Sequence, residues 1–226
     1  MKKSTKTLRL VQLGLLIAVE LIFAYTPLGY MKPAGLEITF LMVPVTIGAI
    51  LLGPAAGAIL GGVFGLTSFS TCFGTSPFGA ALLSINPFFT FLVCVGPRIL
   101  AGWLGGVVFQ ASNLGAKEKP REFSFALTSL VTPLFNTLFF MTSLVLCFYQ
   151  TDYIQNIVNV LGATNPFSFV ALFVGLQGLV EAAVCWLISG ILCRALYPVL
   201  YRNTVAKPVA ESASENTAAP EQKPEL

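Results

Sequence analysis

Residues 87–108 read PFFTFLVCVGPRILAGWLGGVV. A helix needs about 20 apolar residues to cross a bilayer, and this run meets that length. Its single charge, Arg98, lies near the middle. Two other runs have the same form: residues 167–193 carry Glu181, and residues 8–28 carry Glu20. A charge at the bilayer centre costs at least ~2.5–3.5 kcal/mol on insertion scales, so such groups pair, face a cavity, or do both. These three charges separate a membrane protein that handles something polar from one that only sits in lipid.

Composition sets the class. Of 226 residues, 55% are hydrophobic and only 10% charged, and the mean hydropathy is +0.80. Soluble domains carry about 25% charged residues. The pattern predicts an all-α polytopic membrane protein with six transmembrane helices near residues 8–28, 38–53, 55–73, 87–109, 125–149 and 168–194. The first run is too long for a signal-peptide core and is kept as a helix. Gly53-Pro54 stops one helix and starts the next, which predicts a tight hairpin. Residues 1–202 form one membrane domain. Residues 203–226 are rich in Ala, Glu, Pro and Ser, without apolar periodicity, and are expected to be a disordered cytoplasmic tail.

Orientation follows from the basic residues. Lys2, Lys3 and Lys6 precede the first run, and Arg9 lies at its start. Lys117, Lys119 and Arg121 separate the fourth from the fifth, and Arg194, Arg202 and Lys207 follow the sixth. With six crossings all three clusters fall on one side, which the positive-inside rule makes cytoplasmic, along with both termini. Segments 29–37, 74–86 and 150–167 then face out, with Lys32 their single basic residue.

Several classes are disfavoured. The chain has no histidine, and its five cysteines form no CxxC pair, so no metal site and no cofactor is expected. It lacks GxxxxGK[ST], HExxH, GxSxG and any carboxylate cluster. An enzyme is therefore not expected. A net charge of +3 gives no reason to expect a nucleic-acid partner.

Four patterns remain. Gly57, Gly61 and Gly65 recur at helical spacing in GAILGGVFG and form a face that another helix can approach closely, in this chain or in a partner. Gly14 and Ala18 form a smaller pair of the same kind. Asn-Pro-Phe occurs at 86–88 and 165–167, each at the start of a run. Asn86 and Asn165 are natural helix caps, and the two helix N-termini would favour an anionic group in an outer pocket. Arg98 and Glu181 could share a depth, with Gln177 one turn from Glu181 and Asn136 midway along the fifth run. They form a structural ion pair, the floor of a substrate pocket, or, with Glu20, an ion pathway.

Residues 38–74, ITFLMVPVTIGAILLGPAAGAILGGVFGLTSFSTCFG, resemble the substrate-binding (S) components of energy-coupling factor (ECF) vitamin transporters. The likeness lies in Pro44 entering the second run, GAILLGPAAG at 48–57 and GLTSF at 65–69; INPFFTFLVCVGPRILAGWLGG at 85–106 is also similar. The resemblance implies high-affinity capture of a water-soluble vitamin outside the cell. Uptake is then driven by a membrane coupling subunit and two cytoplasmic ATPases. It also implies docking through small residues of the first helix, here Gly14 and Ala18. Pantothenate-type members look nearest and riboflavin-type second. An anionic ligand would suit Lys32, Arg98 and the two helix ends; Asn86, Asn136, Asn165, Gln177 and Glu181 complete the expected binding set. The alternative is a self-sufficient ion-coupled transporter using Glu20, Arg98 and Glu181.

Overall fold

The structure, a computed structural model, describes residues 5–26, 30–31, 38–114 and 122–216. In chain order the elements are α1 (Thr5–Tyr25), β1 (Tyr30–Met31), β2 (Ile38–Thr39), α2 (Met42–Leu51), α3 (Pro54–Thr71), α4 (Pro77–Ile85), α5 (Pro87–Ser112), α6 (Glu122–Phe148), α7 (Asp152–Leu161) and α8 (Pro166–Asn216). Among the described residues the fold is helical apart from the short antiparallel pairing of β1 with β2, in which Tyr30 faces Thr39.

The α3–α5 contact organises the bundle. The predicted glycine face lies against the neighbouring helix of the same chain. A Cβ at Gly57 would meet the carbonyl of Gly102, one at Gly61 the carbonyl of Arg98, and one at Gly65 would come within 2.6 Å of the Val95 Cα. Gly102 and Gly106 return the contact toward Gly57 and Pro54. As the α3 number rises the α5 number falls, so the helices are antiparallel. Such close backbone approach is how helices associate where lipid removes the hydrophobic drive. Gly105 does the same for α6, since a Cβ there would strike Thr132.

Every residue of α2 from Met42 to Ile50 is buried, as expected of a helix that is apolar all round. It packs on α3, α5, α6, α8 and α1. At 10 residues it rises about 15 Å, half the hydrocarbon thickness. The turn after it needs Gly53, whose φ of 98° is open mainly to glycine.

Four described helical stretches are long and apolar enough to cross a membrane: Lys6–Tyr25, Pro87–Ser112, Glu122–Phe148 and Gly178–Pro198. A fifth arises if Asp152–Leu161 and Pro166–Gly175, bent by 74°, count as one broken span. Two segments expected to be loops contain helices. Ser76 caps α4 by accepting from the Gly79 N–H at 3.2 Å, with Pro77 in the first turn. In α7, Ile154 and Val158 share one buried face, and Gly162 ends the helix at φ 67°. The backbone of α8 also continues to Asn216, into the segment expected to be disordered. Ala206, Ala210, Glu211 and Ala213 are strong helix formers there.

One comparison tests the glycine seam. Gly61→Ala drives a methyl into the Arg98 carbonyl, whereas a Cβ at Gly62 meets only the Ile99 side chain at 3.6 Å. Gly61→Ala is expected to lower the thermal midpoint of the purified protein, by the equivalent of about 1–3 kcal/mol of overpacking. Gly62→Ala should leave it unchanged or raise it.

Candidate functional site

Pro97 sets the conformation of Arg98. Proline has no N–H, so within α5 it cannot donate to the carbonyl four residues back, that of Val93. The guanidinium of Arg98 takes the vacant role: Nη1 donates to the Val93 carbonyl at 2.9 Å. Nη2 donates to the Ser68 hydroxyl of α3 at 3.4 Å. The guanidinium carbon lies 4.7 Å from the Phe140 ring centroid and 5.2 Å from that of Phe64. The side chain is thus buried, at 8% exposure, between hydrogen-bond acceptors and aromatic faces that favour a cation.

Glu181 of α8 lies within electrostatic reach of Arg98. Its Oε1 accepts a hydrogen bond from the Thr39 hydroxyl, which ties β2 to α8. Farther along the same α8 face, the Cys185 sulfur lies 3.6 Å from the Thr46 hydroxyl of α2 and 3.5 Å from the Ser189 hydroxyl. Glu181, Cys185, Ser189 and Cys193 recur every four residues and form the small, polar stripe that α8 turns inward.

Asn136 of α6 is also 8% exposed. It sits one turn before Phe140, on the same helix face. Gly178 of α8 packs against the next residue of α6, since a Cβ there would come within 3.3 Å of Thr137. The Asn136 amide oxygen is buried without a hydrogen-bond partner. An unmet buried acceptor costs about 1–3 kcal/mol, so a donor arriving from a bound molecule would gain an interaction that the chain leaves unmade.

The expected residues therefore divide. Arg98, Asn136 and Glu181 lie on α5, α6 and α8: Arg98 and Asn136 are buried, and Arg98 faces Phe140, one turn beyond Asn136. Asn86 and Asn165 serve as helix caps: the Asn86 amide oxygen accepts from the N–H groups of Phe88 and Phe89, both at 3.1 Å, and that of Asn165 accepts from Ser168 N–H at 2.8 Å. Gln177 lies on α8 one turn from Glu181, its side chain outside the described residues, and Lys32 is outside them as well. Gly14 and Ala18 lie exposed on α1, with open space beyond Gly14. Glu20 is fully buried on α1, both carboxyl oxygens without a hydrogen-bond partner. The partners described for Arg98 and Glu181 do not include it.

Sequence reasoning missed Thr39, Ser68, Phe64 and Phe140. The Pro97-Arg98 pair was the available signal, because a proline inside a helix announces a carbonyl in need of a donor. A separate apolar cleft of about 350 Å³ lies between α7 and α8, lined by Tyr153, Asn156, Ile157, Val160, Leu161 and Phe173. None of the expected site residues lines it.

Over 86 residues the chain is 37% identical to the pantothenate transporter PanT of Leuconostoc mesenteroides subsp. mesenteroides. That stretch covers 38% of this chain and 40% of the relative, so the chain spans well under half the length of the curated relative it matches. Residues 8–193 match the family described as the substrate-specific component of the ECF transporter. That family consists of transporter components rather than enzymes. With a match over most of its length and a bundle of membrane-length apolar helices, the chain belongs to the ECF transporter substrate-specific components and is a multi-pass membrane protein.

Proposed function

We propose that this chain captures a water-soluble vitamin, pantothenate in the best-supported case, from outside the cell. An energy-coupling module of one membrane subunit and two cytoplasmic ATPases would then drive uptake. The observation that carries the reading is a buried guanidinium on α5 and a buried, unmet amide oxygen on the neighbouring helix α6, in a chain of this family. Pantothenate offers a carboxylate for Arg98 and hydroxyl and amide donors for Asn136. Ser68, Thr39 and Glu181 would orient the ligand. The partial match to a pantothenate transporter supports the same choice. Lys32, Asn86, Asn165 and Gln177 remain proposed contributors.

Six crossings are proposed, by α1, α2 together with the residues that flank it in the 38–53 run, α3, α5, α6 and α8, with both termini cytoplasmic. The three basic clusters support this orientation because six crossings place them all on one side. The tail from Asn203 takes no part in binding. ATP is handled by partners, in keeping with a chain that has no P-loop.

Binding by the purified chain without partners tests the reading, with pantothenate, riboflavin, folate, thiamine, pyridoxine and biotin compared. Submicromolar affinity for pantothenate is expected. Weak or no binding to all six would overturn vitamin capture, and preference for riboflavin would reassign the cargo. Ion-gradient-driven uptake by the reconstituted chain alone would favour the self-sufficient transporter built on Glu20, Arg98 and Glu181.

A second test separates capture from docking. Gly14→Leu and Ala18→Leu enlarge an exposed face of α1. Vitamin affinity should stay within about twofold of the parent, since neither residue touches the site, while uptake in cells with the complete module should fall at least about tenfold by loss of close helix approach. Normal uptake by both variants would remove Gly14 and Ala18 from the docking face.

A further inference from the structure

The α3–α4–α5 corner holds a pair of thiols that the proposed binding function does not use. Cys72 ends α3 and Cys94 lies two turns into α5. Their sulfurs are 3.9 Å apart, and both residues are buried, at 4% and 7% exposure. Val95, Phe69 and Leu83 enclose them. Gly79 of α4 makes the room, since a Cβ there would come within 2.6 Å of the Cys72 sulfur. The Cys72 thiol also faces the Ser68 carbonyl at 3.6 Å, so the pair adjoins the α3 residue that holds Arg98. The other three cysteines are differently placed. Cys147 is only partly buried, and the sulfur of Cys185 is flanked by the Thr46 and Ser189 hydroxyls.

We propose that Cys72 and Cys94 form a disulfide modification site that closes by exchange with a small-molecule disulfide. One thiolate attacks the small disulfide, forming a mixed disulfide and releasing one thiol. The second cysteine, losing its proton, attacks the protein-side sulfur and releases the other. Two protein thiols are thereby oxidised to one cystine, and the small disulfide is reduced to two thiols. A relaxed S–S bond is about 2.05 Å long, so closure needs rotation of two side chains and a small approach of α3 to α5. The bond would close a loop containing all of α4. It would also pin the end of α3 that carries Ser68 to the half of α5 that carries Arg98. On the orientation proposed above this corner faces outside, where disulfides persist; the chemistry itself does not depend on that orientation.

The test treats the purified full-length protein with dithiodipyridine. Free thiols are then alkylated, and the digest is mapped by mass spectrometry without reduction. The expected result is a Cys72–Cys94 linked peptide as the main cross-link, released by reductant, with a higher thermal midpoint in the oxidised protein. Cys72→Ser and Cys94→Ser should each abolish the link and leave a mixed disulfide or a free thiol on the remaining cysteine. Absence of the linked peptide in the parent protein, or a dominant link to Cys147, Cys185 or Cys193, overturns the proposal.

Discussion

The contact on which the rest depends is the glycine seam between α3 and α5. At Gly61 the facing group is the carbonyl of Arg98 itself, so the backbone that carries the buried charge is fixed by the absence of a side chain across from it. The same seam brings Ser68 to the guanidinium. Pro97 then withholds a hydrogen bond from Val93, and the side chain of Arg98 supplies one. Close packing, a helix irregularity and a buried cation are thus a single arrangement. Enlarging Gly61 would shift all three.

That arrangement accounts for a charge in an apolar interior. Arg98 meets a backbone carbonyl, a hydroxyl and two aromatic faces, and Glu181 lies within its field. Asn136 differs in keeping an unmet acceptor. Groups held in place at a cost to the empty protein are what a specific receptor presents, because a bound molecule regains the lost interaction. Glu20 is also buried without a hydrogen-bond partner, but it sits on α1, and the partners described for Arg98 do not include it.

Much of the bundle was legible because the relevant signals are local. The glycine spacing at 57–65 encodes a close helix contact wherever it is used, and each Asn-Pro start encodes a cap; both appear as read. Each of the six expected runs contains a helix. Other features depend on tertiary context. The hydrophobicity of α2 marks burial, and only its short length shows that the burial is by protein rather than by lipid alone. The helices α4 and α7 sit in segments read as loops because each is under three turns long and gains its stability from packing one face. Thr39 and Ser68 are ordinary hydroxyl residues in sequence. Their importance comes from standing opposite Glu181 and Arg98, residues far away along the chain.

The central claim is that Arg98, held by the seam, reads the charge of the cargo. The direct measurement is the affinity of the purified chain for pantothenate relative to its neutral alcohol analogue, in which CH2OH replaces the carboxylate. Hydrogen bonds to charged groups contribute about 1.5–3 kcal/mol, so the acid should bind roughly tenfold tighter or more, and the preference should vanish in Arg98→Gln. Equal affinity for acid and alcohol in the parent protein would contradict the account.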